Sequence, residues 1–485
     1  MRGYAWLNHP RTFPIILLIY LLFGLVNLQY IPIAWLDEVA LLDPAIQFHK
    51  TGAYASTAWG TPGAENIFLS YPPLIVWVHI LNLSIFPATI FWVRLPFLIM
   101  HASAIFLLYK LLIKYIKVAP IMALSICSFF LFDKAVFEIS RAIRVETIEM
   151  FLWSLIFTLF YKKSPAGIIG LIIGLLFVSH LKEWPILGIF GLYYLWQYTP
   201  KKQWILFLVS AAIPVTIFLF AIHFNFQELY HQLYLNSKEH SASGNFLNKI
   251  YDFYFSRFFP VYKEQPWMPL VHIIITFIAI KELISSKGKN LFAATFLGAS
   301  LVWIFILSPN YRYWVPLYFF SLPMLAEYLK KIQFNFTKYL KWYSIPVVLM
   351  LIFPFVSRHL LAFAQRTVRN PTKAIEFLNK NISNKNKTLV FGDEIGLYMT
   401  ANKPNMDCGH TLEPDHFKFN NYKNVYLLTH QIYPQLKWIN TYHPNALYLP
   451  KWLYSLGKGG TYDGLIIYKI QSEKELKSVT TNYYK

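Results

Sequence analysis

Charged residues are scarce in this chain of 485 residues, and that scarcity decides the class of protein. Asp, Glu, Lys and Arg make up only 14% of the sequence, whereas hydrophobic residues make up 56%. A soluble domain is on average about a quarter charged. The apolar residues also gather into blocks of about 20 residues, the length that a helix needs to cross a bilayer. These features argue against an ordinary soluble protein and predict a polytopic membrane protein.

Cysteine is also scarce, and the sequence has no recognisable metal or phosphate-loop motif. Cys127 falls in an apolar block and Cys408 near the C-terminus, so no disulfide framework is expected. The 14 histidines are scattered, without a His-x-x-Glu-His, Cys-x-x-Cys or Gly-rich phosphate loop. We therefore predict no cofactor. We also predict no metal site, with a bound divalent metal as the alternative.

The net charge of +20 comes from basic residues that sit mostly between apolar blocks. This placement is typical of the positive-inside rule and of contact with anionic membrane lipids, and it argues against nucleic acid as a partner. Arg2 and Arg11 precede the first apolar run, which lacks a small-residue cleavage pattern. We expect a cytoplasmic N-terminus, a retained first span and a multi-pass protein of the inner or plasma membrane.

Twelve apolar blocks lie between residues 13 and 361, and each must be helical where it meets lipid. From the block that begins at residue 94 onward, the basic loops occupy alternate connections, as loops on the cytoplasmic side must. A full crossing at 73–90 would put the later charges on the wrong side, and that block contains His79, Asn82 and Pro87. The sequence thus predicts an all-α membrane domain of 11 or 12 transmembrane helices. Eleven full spans with a partial insertion at 73–90 are favoured.

The chain divides into a transmembrane domain, residues 1–365, and an extracytoplasmic α/β domain, residues 366–485. In the first outer loop, 34–72, Val39 to His49 have helical spacing and predict a helix on the membrane surface. The loop at 223–266 is expected to be interfacial and partly helical. In the C-terminal domain we predict a helix at 371–378 and strands at 388–391, 425–428, 446–449 and 464–470.

An acid pair, Asp37-Glu38, follows the first predicted span. Acids contribute little to membrane orientation, so topology does not require them. A carboxylate at the low-dielectric boundary is suited to act as a general base. The alternative is a solvated pair of acids at the interface, and the local residues leave both interpretations open.

The segment EISRAIRVETIEMF places five charged side chains at the rim of two apolar blocks. Charged residues at such a depth are functional-site candidates. Arg141 and Arg144 are three residues apart, which predicts one shared helix face, and paired guanidinium groups suit a phosphate. The alternative is an internal cluster of ion pairs among these arginines and Glu138, Glu146 and Glu149 that fixes helix packing.

Three further motifs lie on the same predicted outer face. They are His180 with Lys182 and Glu183, Asn310-Tyr311-Arg312-Tyr313, and Tyr71-Pro72-Pro73-Leu74. The lysine and the arginine could bind a lipid phosphate, and the two prolines could open a helix whose free N–H groups face an anion. The alternatives are a snorkelling lysine, an aromatic interface belt and a plain helix start.

Taken together, these motifs resemble the GT-C fold glycosyltransferases, in the branch that contains the protein O-mannosyltransferases and the lipid A aminoarabinose transferases. The resemblance rests on Asp37-Glu38, a surface helix, x-Pro-Pro-Leu at 71–74, Arg-x-Glu at 144–146 and the late Tyr-Arg-Tyr before Pro316. It covers roughly the first 330 residues. The sequence departs from these relatives at Tyr71, where Lys or His is common, and at Glu146, where Asp is more usual.

The resemblance implies transfer of a sugar, with inversion, from a polyprenyl-phosphate donor to an acceptor on the extracytoplasmic face. Asp37 would take the proton of the acceptor, and Glu38 would position the acceptor or the sugar. Implied donor-phosphate ligands are Arg144, Lys182, Arg312 and Arg141, and implied positioning residues are Glu146, Tyr71, Tyr311 and Tyr313. Partners would be the donor, membrane lipids and an acceptor that is a lipid, a glycan or a protein.

Two other functions compete with this one. A transporter or flippase of lipid-linked sugars would need charges deep in mid-span and paired broken helices, whereas these charges lie at the outer rim. A structural membrane protein would not need Asp37-Glu38, so neutralising that pair would then change nothing.

Overall fold

The structure is a computed structural model, and it describes most of the chain. The described residues are 9, 11–32, 36–59, 61, 63–240, 268–306, 311–332, 356, 359–360, 363, 366–409, 419–444, 462–475 and 478–479.

Helices dominate the first two thirds of the chain, as the apolar blocks predict. They are α1 Thr12–Val26, α2 Leu36–Thr51, α3 Leu74–Leu83, α4 Ile90–Lys110, α5 Pro120–Phe132, α6 Lys134–Ile139, α7 Val145–Tyr161, α8 Ala166–Phe177, α9 Trp184–Tyr198, α10 Trp204–Ala221, α11 Phe226–His240, α12 Met268–Ser285, α13 Leu291–Ile306 and α14 Tyr311–Lys331. A π-helical turn, Leu111–Ile116, extends α4, and 3₁₀ turns Leu181–Glu183 and Lys201–Gln203 precede α9 and α10.

Two of the described helical stretches, Ile90–Ile116 and Lys201–Ala221, are long and apolar enough to cross a membrane. The second buries only 17% of its apolar window, and Ile205 is 74% exposed. Lipid rather than water is expected to cover such an exposed apolar helix surface. Helix α3 has 10 residues, about 15 Å, against a hydrocarbon core of about 30 Å. That length supports the partial insertion at 73–90, and the total number of crossings stays a prediction.

Helices α8 and α10 approach each other closely through small residues. A Cβ atom on Gly170 would lie 2.3 Å from the Phe207 carbonyl oxygen, and one on Gly174 would lie 2.2 Å from that of Ala211. Two glycines four residues apart let helix backbones meet in an apolar environment, where packing rather than the hydrophobic effect drives association. This contact fixes α8, and with it the turn at Leu181–Glu183.

Helix α2 forms where the sequence predicts a surface helix, but the structure buries it. Residues 38–47 are all buried, and the polar side chain of Asp43 has no exposure. Asp43 Oδ2 accepts hydrogen bonds from Ser56 Oγ at 2.7 Å, Thr57 N at 2.7 Å and Ala58 N at 2.9 Å. The predicted helix is confirmed, its polar Asp43 is satisfied by the following loop, which folds back over it, and its position on the membrane surface stays a prediction.

In its described residues the C-terminal domain has a five-stranded mixed sheet and, among its helices, α15 Pro371–Asn381 and α16 Ile395–Thr400. The strands are β1 Thr388–Gly392, β2 Met406–Gly409, β3 Asn424–Thr429, β4 Lys437–Tyr442 and β5 Leu465–Ile470, in the order β2-β1-β3-β5-β4. Strand β1 is parallel to β2 and β3, whereas β5 is antiparallel to β3 and β4. The predicted α/β character is confirmed, β2 and β4 were missed, and the strand predicted at 446–449 lies outside the described residues.

The edge strand β2 is docked on the first outer loop. Lys50 Nζ donates to the Met406 carbonyl at 2.8 Å, and Thr57 Oγ1 donates to the Cys408 carbonyl at 2.8 Å. An edge strand exposes carbonyl groups that need partners, and these two donors supply them. The C-terminal domain is thereby tied to α2, the helix that begins with Asp37 and Glu38.

We expect Lys50→Met to loosen this docking. The change keeps the apolar stem but removes the donor to the Met406 carbonyl, at a cost of about 1–3 kcal/mol for a charged hydrogen bond. Hydrogen exchange of the β2 amides should speed up accordingly. Lys163→Met, at an exposed lysine, is the matched control and should leave β2 protection unchanged. Equal protection in both variants would show that Lys50 does not hold the domain.

Candidate functional site

Asp37 is the accessible carboxylate of the site. It lies in the first turn of α2, where the helix dipole favours an acid. Its side chain is 36% exposed. Arg144 Nη1 donates a hydrogen bond to Asp37 Oδ2. The structure therefore holds this carboxylate in one place and leaves part of it open to a reactant.

Glu38, the neighbouring acid, is fully enclosed. Arg94 Nε and Nη2 donate to its two carboxylate oxygens at 2.8 and 2.6 Å, and both side chains have 0% exposure. The Ile143 amide donates to Glu38 Oε1 at 3.0 Å. Arg94 Nη1 also donates to the carbonyls of Leu28 and Pro32 at 3.0 and 2.6 Å. This pair locks the start of α2 to α4 and to the chain just before α7.

Arg94 was missed by the sequence analysis, although a signal for it was present. It is an arginine at the start of a long apolar block, and an ionisable residue there needs a partner. The identity of that partner, 56 residues away in the chain, could not be read from spacing.

A line of buried ion pairs continues inward from Asp37. Arg144 Nε and Nη2 donate to the two oxygens of Glu146 at 3.1 and 3.2 Å. Lys182 Nζ then lies 3.1 Å from Glu146 Oε1 and 3.1 Å from Glu149 Oε2, and these three side chains have 0% exposure. We call Arg144, Glu146, Lys182 and Glu149 the ion-pair line. It brings together residues that the sequence placed on one predicted face.

The turn that carries Lys182 is held by two tryptophans. Trp303 Nε1 donates to the Lys182 carbonyl at 2.8 Å, and Trp153 Nε1 donates to Glu183 Oε2 at 2.9 Å. Lys182 was expected to reach a phosphate or to snorkel outward. The structure encloses its ammonium between carboxylates instead.

The structure separates the two arginines that were expected to share a helix face. Helix α6 ends at Ile139 and α7 begins at Val145, so the residues between them form a turn. Arg141 Nε donates to the Ile31 carbonyl at 3.2 Å, and its guanidinium lies 5.0 Å from the Phe137 ring centre. The shared face is therefore wrong, because the segment is not helical between the two residues. The phosphate role of Arg141 stays a prediction.

Tyr71 packs against residues that border the ion-pair line. The Tyr71 ring lies 5.4 Å from Trp59 and 5.9 Å from His180, edge-on in both cases. His180 accepts a hydrogen bond from the Lys182 amide through Nδ1. Helix α14 begins at Tyr311, and the side chains of Tyr311, Arg312 and Tyr313 lie outside the described part, as does that of Glu138.

Two side chains of the C-terminal domain, Glu394 and Tyr398, are electrostatically coupled to Glu38. Burial raises the pKa of Glu394 to about 7, helped by the charges of Asp393 and Glu38. Tyr398 is buried and also feels the charges of Glu38 and Arg94. These couplings mean that the start of α16 sits near the Glu38–Arg94 pair.

Metal-ligand side chains are not clustered in the described part of the chain. No group of three or more His, Cys, Asp or Glu side chains there is arranged to hold a metal ion. The prediction of a metal-free site stays a prediction.

The fold is that of the GT-C glycosyltransferases. The chain is similar in structure to ArnT, the lipid A aminoarabinose transferase, from Cupriavidus metallidurans. The form bound to undecaprenyl phosphate matches with a TM-score of 0.53 and 10% identity, over 96% of this chain and 99% of that chain. The apo form matches with a TM-score of 0.55 and 10% identity, over 94% and 97%.

A third structure, the Archaeoglobus fulgidus oligosaccharyltransferase in complex with zinc and sulfate, matches with a TM-score of 0.40 and 12% identity, over 85% of this chain and 67% of that chain. No protein-family model matches the sequence, and no curated protein sequence matches it. At 10% identity the likeness to the two ArnT structures establishes the architecture alone, and the chemistry has to be argued from the site.

Proposed function

We propose that the protein is a membrane glycosyltransferase that moves a sugar from a polyprenyl-phosphate donor to an acceptor on the extracytoplasmic face, with inversion. The observation that carries the proposal is the partly exposed Asp37 held by Arg144 at the mouth of a buried ion-pair line on a GT-C fold. The ArnT structure bound to undecaprenyl phosphate supports a donor of this class.

In the proposed reaction Asp37 accepts the proton of the acceptor hydroxyl while the oxygen of that hydroxyl attacks C1 of the sugar. The bond between C1 and the phosphate oxygen breaks, and polyprenyl phosphate leaves with the electron pair. Its negative charge needs preorganised cations, which usually provide a large part of the rate enhancement. Arg144 is suited to this role because it directly contacts the accessible Asp37 and its side chain keeps 6% exposure, and Arg312 remains a second candidate.

Arrival of the donor phosphate also gives Arg144 a third anion to bind, beside Asp37 and Glu146. A guanidinium has five N–H donors, and some of those on Arg144 already donate to Asp37 and Glu146. If the phosphate takes the donor now given to Asp37, that carboxylate is released to accept a proton. Lys182 and Glu38 act in this proposal through Glu146 and Arg94, as positioning residues.

A transporter or flippase is the second candidate, and the position of the charges disfavours it. Glu146 lies in the first turn of α7, and Lys182 lies in the 3₁₀ turn before α9. Both are at helix ends, whereas a transport site is expected near mid-span.

The test is release of free polyprenyl phosphate. The purified protein would be given a pool of labelled polyprenyl-phosphate sugars and a native membrane extract. We expect release of polyprenyl phosphate together with labelling of one acceptor, which the label then identifies. Movement of intact labelled donor across reconstituted vesicles, without release, would establish the transporter instead.

A further inference from the structure

The inner end of the ion-pair line has more acids than cations. Glu146, Glu149 and Glu183 are fully buried, and their buried cationic neighbours are Lys182 and Arg144. Among the described residues three buried carboxylates thus face two cations, and one of these cations, Arg144, is shared with the partly exposed Asp37, so at least one buried negative charge is uncompensated. Burying such a charge costs several kcal/mol unless it is neutralised. A single proton on one of these acids would make the buried group neutral.

Glu149 and Glu183 are the two acids placed to hold that proton. Two contacts bring them together. Trp153, one turn after Glu149 on α7, donates to Glu183 Oε2 at 2.9 Å. Lys182, next to Glu183 in the chain, lies 3.1 Å from Glu149 Oε2. Among the described residues, Glu149 Oε1 and Glu183 Oε1 have no hydrogen-bond donor. Two ionised carboxylates cannot hydrogen-bond, because both are acceptors only. A proton between them supplies the missing donor to both oxygens at once.

The surroundings favour sharing of one proton over ionisation of both acids. Burial raises the pKa of Glu183 to about 7, against the opposing charge of Lys182. Like charges held close together titrate as a pair and keep one proton. The titratable and charged groups that face the pair are Lys182 and Glu146, with Arg144 and His180 behind Glu146.

We infer that Glu149 and Glu183 share one proton at neutral pH, and that this proton keeps Lys182 bound to Glu146 and so holds Arg144 against Asp37. Without the proton, Lys182 would face two ionised acids on its inner side and would move toward them. Glu146 would then lose its contact with Lys182. Arg144 would move with Glu146 and lose its contact with Asp37. Glu149 and Glu183 are thus positioning residues. Their effect on catalysis rests on the proposed function, whereas the shared proton does not.

The shared proton can be measured without any activity assay. The infrared carbonyl stretch of a protonated carboxyl group would be recorded at neutral pH for the full-length wild type, Glu149→Gln, Glu183→Gln and the double variant. In each single variant the remaining acid ionises beside Lys182, so each should lose the intensity of one carboxyl group. The double variant should lose no more than either single variant. Glu65→Gln, at an exposed acid, should lose none.

Two results would overturn the inference. Unchanged intensity in all three variants would mean that neither acid carries a proton, and a loss in the double variant twice that of a single variant would mean that each carries its own. Should a variant fail to fold, the wild type titrated from neutral to alkaline pH gives a second measurement, because the same band must disappear as the pair ionises. If transfer activity has been demonstrated, the alkaline limb of kcat/KM should shift to higher pH in Glu183→Gln. Absence of activity would count against the proposed function and leave the infrared result standing.

Discussion

Asp37→Asn is expected to abolish release of polyprenyl phosphate while leaving the fold intact. The amide cannot take the acceptor proton, and a general base contributes about 10²–10⁴-fold to a rate. Asn is nearly the same shape as Asp and keeps an oxygen for the donor on Arg144, so the loss should appear in kcat. Release by the purified variant, compared with wild type at saturating donor, is the measurement.

Glu65→Gln is the matched control for this experiment. Glu65 is an exposed acid of the same outer loop, and its carboxylate accepts only a local hydrogen bond from the Gly63 amide at 3.1 Å among the contacts described. Its rate should equal that of wild type. A wild-type rate in Asp37→Asn would remove Asp37 from the mechanism and direct the search for a base to Glu146.

Breaking the Glu38–Arg94 pair is expected to have the largest effect on stability. Both side chains are fully buried and joined by two hydrogen bonds, so Glu38→Gln would leave the Arg94 charge without its counter-ion. Removal of one partner of a buried pair costs about 3–5 kcal/mol. Denaturant unfolding in detergent should show a loss of this size for Glu38→Gln and for Arg94→Met.

The double variant, Glu38→Gln with Arg94→Met, separates the pair from its surroundings. With both charges removed, it should be less destabilised than the sum of the two single variants, because no unpaired charge remains. Additive losses would mean that the two residues do not act as a pair. Activity should fall in the single variants as well, since Glu38 lies beside Asp37 on α2.

Much of the site could be anticipated because membrane insertion limits where charges are placed. Asp37, Arg144, Glu146 and Lys182 were expected on one face, since each stands at the rim of an apolar block. The structure brings their side chains into contact. Arg144 forms ion pairs with Asp37 and Glu146, as one of the two interpretations of the arginine segment expected, whereas phosphate binding by this segment stays a prediction.

The pairings themselves were not predictable. Arg141 and Arg144 were expected on one helix face, yet a turn sends one guanidinium to the Ile31 carbonyl and the other to Asp37. Helical spacing alone cannot locate such a turn. Arg94 had a visible signal but no visible partner, and the donors that tie β2 to α2 come from residues more than 350 positions away.

The sequence by itself determined the helical membrane character, the α/β nature of the C-terminal domain and the candidate acids and cations, because burial in lipid or in a sheet imposes patterns on neighbouring residues. Only the tertiary structure decided that Asp37 stays accessible while Glu38 is enclosed, and that Lys182 is surrounded by carboxylates. Those outcomes depend on which distant helices meet, and the free energy of each buried charge is set by partners that local spacing does not specify.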